Sequence, residues 1–282
     1  MIGQRLANLT RLSLSYIVLI ILAICSLYPA LWIVLGSFRS GRSLYSKTLI
    51  PESFTLDNYR ILFTSKSFLF GQWYLNTLKI ATISMVLGTF LVLLCGYAVS
   101  RFRFKGRSLT LSMILVLNMF PGFLSLIALF ILLKEMGLLN THLAIIIVYA
   151  AGAPLFTTIL AKGFFDAIPR SLDEAAKIDG ANNMTIFSRI MLPLSKPLIT
   201  YVALTSFVGP WVDFIFARLV LRSRDKWTLA VGLFDQVVGN NQSSNFTLFA
   251  ASSVLIAIPI TILFIFLQRN LVDGLTAGAN KG

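Results

Sequence analysis

Charge is what this sequence has least of. Only 12% of its 282 residues are Asp, Glu, Lys or Arg, about half the quarter found in ordinary soluble domains. The acids number 11, there is one histidine, and there are two cysteines. So few ligand and thiol residues imply no metal cluster and no disulfide framework. Against these absences stand 57% apolar residues and 23 phenylalanines. A soluble chain of this length cannot bury that much apolar surface, because burial is limited by the ratio of surface to volume. A soluble enzyme is excluded, and the chain reads as an integral membrane protein. The net charge of +13 would suggest nucleic-acid binding on a soluble protein. Here basic residues flanking membrane segments account for it, and no nucleic-acid partner is implied.

A membrane span needs about 20 apolar residues, and runs without charge locate six. They predict an all-α membrane protein with spans at about 12–38, 80–100, 108–133, 143–161, 197–217 and 246–267, in one transmembrane domain covering 1–282. The runs are continuous rather than alternating, which excludes a β-barrel. The first follows Arg5 and Arg11 but is too long for a signal-peptide core and lacks a small-residue cleavage site, so it reads as a retained anchor. Cys25 and Cys95 lie inside spans, as small hydrophobes. Asp213 interrupts the fifth run and is expected to face water near its outer end. Six spans place both termini on one side, with 13 Lys and Arg against 11 on the other, a near tie. The segment Arg101-Phe-Arg-Phe-Lys-Gly-Arg107 packs four positive charges into seven residues and assigns that side to the cytoplasm. Arg218, Arg222, Arg224 and Lys226 then cluster on the outer side, where the charge rule does not explain them.

Residues 162–196, between spans four and five, are too many for a simple connector. Ser171-Leu-Asp-Glu174 has the form of a capping box, and Asp173 and Glu174 suit the positive end of a helix. Gly180 suits a left-handed helix end. A second helix is expected over 181–191, with Met184, Phe187 and Ile190 or Met191 on one face, stopped by Pro193 and Pro197. A helix–glycine–helix elbow of this kind either docks into a partner's cleft or lies on the lipid surface. Lipid-surface helices are basic on their polar face. The first helix instead sets Asp173, Glu174 and Asp179 against Lys177, which favours docking.

The stretch Glu174-Ala-Ala-Lys-Ile-Asp-Gly-Ala181, continuing through Phe187, Ile190, Leu192-Pro193 and Pro197, resembles the EAA loop of binding-protein-dependent ABC importer permeases. The likeness extends through most of the chain to MalG-type permeases of maltose/maltodextrin importers. It is carried by Leu49-Ile-Pro-Glu52, Asn76 with Lys79, Arg101-Phe-Arg-Phe104, Met119-Phe-Pro121, Leu124-Ser-Leu126 and Leu139-Asn-Thr-His142. Further on it is carried by Trp227-Thr-Leu-Ala-Val-Gly232, Ile258-Pro-Ile-Thr261 and the tail 274–282. The resemblance implies a type I ABC importer permease fold in a bacterial plasma membrane, with both termini cytoplasmic.

It also implies partners: a second homologous permease, two copies of a cytoplasmic ATPase, and an extracellular sugar-binding protein. The EAA segment would be the coupling helix, with Glu174, Ala175, Ala176, Asp179, Gly180, Ala181, Phe187 and Pro193 at the ATPase, Glu174 as ionic contact and Gly180 as bend. The tail 275–282, with Thr276, Gly278 and Lys281, resembles one that inserts between the ATPase subunits. The loop holding Gly239, Asn240, Asn241, Gln242 and Ser243 is similar in position to one that reaches into the binding protein. In that family sugar is held mainly by the partner permease.

ATP–Mg would belong to the ATPase, and no cofactor to this chain. Gly36-Ser-Phe-Arg-Ser-Gly-Arg-Ser43 nearly spells a P-loop, but Arg42 stands where the phosphate lysine belongs and no soluble strand precedes it. Alternating access would be rigid-body rocking, with Pro121-Gly122 and Gly209-Pro210 as kink sites. The competing class is a self-contained sugar carrier or channel. Ion-coupled carriers hold ionisable residues inside the membrane, and only Asp213 offers one. A membrane-embedded enzyme would have to rest on His142, which has no motif partner and is expected to cap or polarise the start of span four.

Overall fold

The computed structural model describes residues 2–42, 48–65, 68–235 and 246–279, with side chains described from residue 11 to residue 271 of these. Helix follows helix: α1 Ile2–Ser37, α2 Asp57–Thr64, α3 Phe70–Arg101, α4 Arg107–Met119, α5 Ser125–Glu135, α6 His142–Asp166 and α7 Arg170–Ile178. Then come α8 Asn183–Ile186, a π-helical turn Phe187–Met191, α9 Leu192–Leu194, α10 Lys196–Val212, α11 Ile215–Val220, α12 Leu229–Leu233 and α13 Phe246–Ala279. Among the described residues the extended pairing is one isolated antiparallel bridge, Arg39 with Phe54. The chain forms two compact units, residues 1–68 with 235–257 and residues 69–234 with 258–282.

In the first unit the end of α1 is pinned by polar and aromatic contacts. Asn58 donates to the carbonyls of Ser37 and Arg39, both at 2.9 Å, and the Ser37 and Tyr59 hydroxyls lie 2.7 Å apart. Trp32 stacks on Phe246 with ring centres 4.9 Å apart, and Thr247 donates to the Gly41 carbonyl at 2.8 Å. Over 11–31 every described side chain of α1 is exposed, although nearly all are apolar. Such a stripe is stable only in lipid or against another apolar surface.

The second unit is built around α3 packed against α6 and α10. Close approach of α3 and α6 rests on small residues. A side chain on Gly96 would meet the Ala161 methyl at 2.6 Å, and one on Gly88 would meet that of Ala153 at 3.2 Å. This is how helices pack where burial from water supplies no driving force.

Four of the described helices are long and apolar enough to cross a membrane, Arg11–Ser37, Phe70–Arg101, His142–Asp166 and Phe246–Leu271, and two bent pairs raise the number to six. The second span begins ten residues earlier than expected, because Lys79 ends a charge-free run without interrupting helical hydrogen bonding. The third is not one helix but two, α4 and the segment Gly122–Glu135, turned through 90°. Proline disfavours helical geometry in the residue before it, and Phe120 is accordingly extended, with φ −80° and ψ 133°. Pro121-Gly122 is therefore the break that was expected there. The bend near span five falls at Ser195, with 81° between Asn183–Leu194 and α10. Helix α10 runs through Gly209-Pro210 and ends at Val212, so that site terminates a helix rather than hinging one.

Candidate functional site

The segment between α6 and α10 folds as an elbow, with a different register from the one the sequence suggested. Helix α7 starts at Arg170 with Pro169 as N-cap (φ −57°, ψ 133°), and no side chain caps it. The capping box at Ser171 is thus absent: proline fixes the entry two residues earlier and leaves Ser171 inside the first turn. The other end is as expected. Gly180 has φ +80°, Gly180 N–H donates to Lys177 at 3.0 Å, and Ala181 N–H donates to Ala176 at 2.9 Å. This pair of bonds is the Schellman closure, which needs a left-handed residue and selects glycine.

The second arm is not the continuous helix expected over 181–191. Asn182 caps α8 by accepting from Thr185 N–H at 2.8 Å. At Leu192 the backbone bonds back to Phe187, one residue further than in an α-helix. Ile186, Phe187 and Met191 are buried while Met184 is exposed, off the predicted face. Pro193 does not stop the helix, since it lies exposed within α9 and chain direction changes only at Ser195.

The proposed coupling residues therefore fall into two groups. Glu174, Ala175, Asp179 and Gly180 are exposed, whereas Ala176 and Phe187 are buried and Ala181 is half-buried. Phe187 packs on Tyr97 of α3 with ring centres 4.9 Å apart. It therefore holds the elbow's second arm to the bundle instead of facing outward. Two exposed apolar residues lie near Gly180 in the chain. Ile178 is 87% exposed and Met184 62% exposed, with Glu174 and Asp179 exposed on the same elbow. Ile178 carried no signal in the sequence, since an isolated Ile fits an ordinary amphipathic helix, whereas Met184 was expected on the apolar face of the second arm.

Asp173 lies in the first turn of α7 as expected, and it has a second role there. Its carboxylate lies 2.7 Å from Arg101 at the end of α3, with 5% of the Arg101 side chain and 12% of the Asp173 side chain exposed. Arg101 also donates to the Ile168 carbonyl at 2.9 Å, and Tyr97 to that of Asn183 at 3.3 Å. Nearby, Ser100 donates to Asp166 at 2.6 Å, and Lys162 pairs with the same carboxylate.

The other end of α3 meets residues 224–232, which overlap the unexplained basic cluster of residues 218–226. Trp73 donates to the Arg224 carbonyl at 2.7 Å, and Asn76 to those of Asp225 and Trp227 at 2.9 and 3.0 Å. Leu229 N–H donates to Thr77 at 2.8 Å. Asn140, left-handed at φ 60°, accepts from the amides of Arg222 and Ser223, and Lys226 donates to its carbonyl at 2.9 Å. The guanidiniums of Arg218, Arg222 and Arg224 lie over Trp227, Phe130 and Trp73 at 4.7, 5.9 and 6.0 Å. The cluster is thus a set of cation–π and backbone contacts that shape a loop.

His142 does not cap α6. Thr141 does so, accepting from Ala144 N–H at 3.2 Å, while His142 Nε2 donates to the Lys226 carbonyl at 2.8 Å. Asp213 does not simply face water. It accepts from the Tyr149 hydroxyl at 2.5 Å and from Phe216 N–H at 3.1 Å, which ties α6 to the start of α11.

Gly239, Asn240, Asn241, Gln242, Ser243 and Lys281 lie outside the described residues, and Thr276 and Gly278 fall on the backbone of α13.

Comparison with known proteins gives a consistent result. The chain is 45% identical to the galactooligosaccharides transport system permease protein GanQ of Bacillus subtilis, over 96% of each chain. It is 41% identical to the maltodextrin transport system permease protein MdxG of the same organism, over 95% of each. Its fold superposes on a chain of a bacterial ABC transporter involved in the import of the acidic polysaccharide alginate, with TM-score 0.77 and 27% identity, covering 91% of this chain and 94% of the other. The sequence pattern of the binding-protein-dependent transport system inner membrane component matches residues 88–276, a stretch that contains the whole elbow. The chain belongs to this family of ABC importer permeases.

Proposed function

We propose that this chain is one of two permease subunits of an ATP-driven importer for neutral oligosaccharides, and that the elbow around Gly180 is where a separate ATPase attaches. The observation that carries the attachment is the exposure of Ile178 and Met184 near a left-handed Gly180, with Glu174 and Asp179 exposed on the same elbow. Water does not favour an isoleucine almost wholly exposed on a short helix; a partner's cleft with a basic rim does. Both termini and the elbow then face the cytoplasm, in keeping with the four positive charges in 101–107. The loop 239–243 faces outward toward a sugar-binding protein, and Thr276, Gly278 and Lys281 reach the ATPase pair. ATP and magnesium belong to that ATPase, and this chain performs no catalysis of its own. The elbow moves with its groove, and the spans joined to it rock between inward- and outward-open arrangements.

Glu174→Lys and Ile178→Asp change exposed positions, so both proteins should insert normally yet lose co-purification with the ATPase subunit. Undiminished co-purification of both would remove the docking reading. Shortening 237–246 should lower uptake with assembly intact.

The substrate reading follows the relatives. Maltodextrin is the first choice, and the 45% identity to a galactooligosaccharide permease favours a galactooligosaccharide as the second. Uptake of labelled maltotriose against labelled galactotriose by the reconstituted importer decides between them.

A further inference from the structure

We infer that Arg101 and Asp173 form a positioning strut that makes α3 a third arm of the elbow, so that motion at the ATPase reaches the opposite face without passing through α6 or α10. Covalently the elbow continues only into α6 and α10. Its apolar side chains pack among those of α3, α6 and α10, but its polar attachments run to α3. Asp173 on α7, the Ile168 carbonyl and the Asn183 carbonyl are all held by the last turns of that helix, through Arg101 and Tyr97. Helix α3 contains no proline and spans 32 residues, about 48 Å at 1.5 Å per residue, which is longer than the bilayer core. Its far end holds residues 224–229 through Trp73, Asn76 and Thr77. One rigid rod thus grips the elbow at one end and the loop after α11 at the other.

The ion pair is poorly built for stability alone. Asp173 Oδ1 and Arg101 Nη1 are buried without a hydrogen-bond partner among the described residues. A buried pair with unmet lone pairs and protons stabilises no more than apolar residues of the same size would. What it does supply is direction: a fixed point where a push on α7 becomes a push along α3.

This inference rests on the docking reading, and one experiment separates the two. The importer is reconstituted with its ATPase and binding protein, and ATPase co-purification, ATP hydrolysis and sugar uptake are measured for Asp173→Asn, Arg101→Lys and the exchange Arg101→Asp/Asp173→Arg. A strut predicts that Asp173→Asn still binds the ATPase while sugar moved per ATP falls roughly tenfold, within the range usual for coupling between sites. It predicts an intermediate value for Arg101→Lys and recovery in the exchange variant. Unchanged sugar per ATP in Asp173→Asn overturns the strut and leaves docking intact. Loss of ATPase binding or of insertion in all three variants also overturns it, because the pair would then only shape the elbow.

Discussion

The two ends of α3 are held by opposite means. At the Phe70 end the contact is volume. Trp73 is fully buried with its ring against Gly232, where an added side-chain carbon would lie 2.1 Å from the ring, and neutral hydrogen bonds fix the adjacent loop. At the Arg101 end the contact is a charge pair with unsatisfied atoms, set among side chains of α6, the elbow and α10. The first arrangement has one good geometry and fails if altered. Both ends keep polar atoms that are buried without a partner among the described residues. Those at the first, Trp227 Nε1 and Thr228 Oγ1, are neutral, whereas those at the second, Arg101 Nη1 and Asp173 Oδ1, are charged and can take new partners as the elbow moves. A rod clamped by packing at one end and by charge at the other suits a part that must stay registered to its loop while following a moving elbow.

The largest expected effect lies at the packed end. Trp73→Ala should lower the stability of the folded permease by about 3–5 kcal/mol, the usual loss for a buried tryptophan, and should also free the Arg224 carbonyl. A thermal melt of the detergent-solubilised protein measures it. A shift no larger than that of a surface substitution would break the contrast between the two ends. Gly232→Ala comes next, at about 1–3 kcal/mol, because overpacking must displace a ring that has nowhere to go. Trp73→Phe in the Gly232→Ala background should recover part of that loss by returning space.

Much of this could be read in the chain, and the gaps have physical causes. Run length located the spans, and Pro121 marked the break of the third, because both signals are local. Gly180 marked the elbow for the same reason: only a left-handed residue closes that helix. The start of α7 was misjudged since Ser171 and Pro169 both offer plausible entries, and the proline prevailed. The π turn at 187–191 has no local signature, so the break in the second arm was illegible. Asp173 appeared only as a helix-end charge because its partner, Arg101, is remote in sequence and lies on another helix. The cluster from Arg218 to Lys226 looked anomalous because charge counting ignores aromatic rings, and three of those cations rest over them. Asp213 was expected to face water because its partner, the Tyr149 hydroxyl, lies on another helix and leaves no local signal; family membership decides against a self-contained carrier.

The smallest expected effect is also the sharpest test of the comparison. Replacing both charges together, as Arg101→Met with Asp173→Leu, keeps side-chain volume and removes two buried ions at once. Such replacements elsewhere are neutral or stabilising by about 1–4 kcal/mol, because desolvating the ions offsets their attraction. The melt should therefore be unchanged or rise slightly, in contrast to the losses at Trp73 and Gly232. Removing one partner instead, as in Asp173→Leu alone, strands a buried guanidinium and should lower stability by about 3–5 kcal/mol. If the double variant melts as low as the single one, the pair is structural glue like the tryptophan, and the two ends of α3 do not differ in kind.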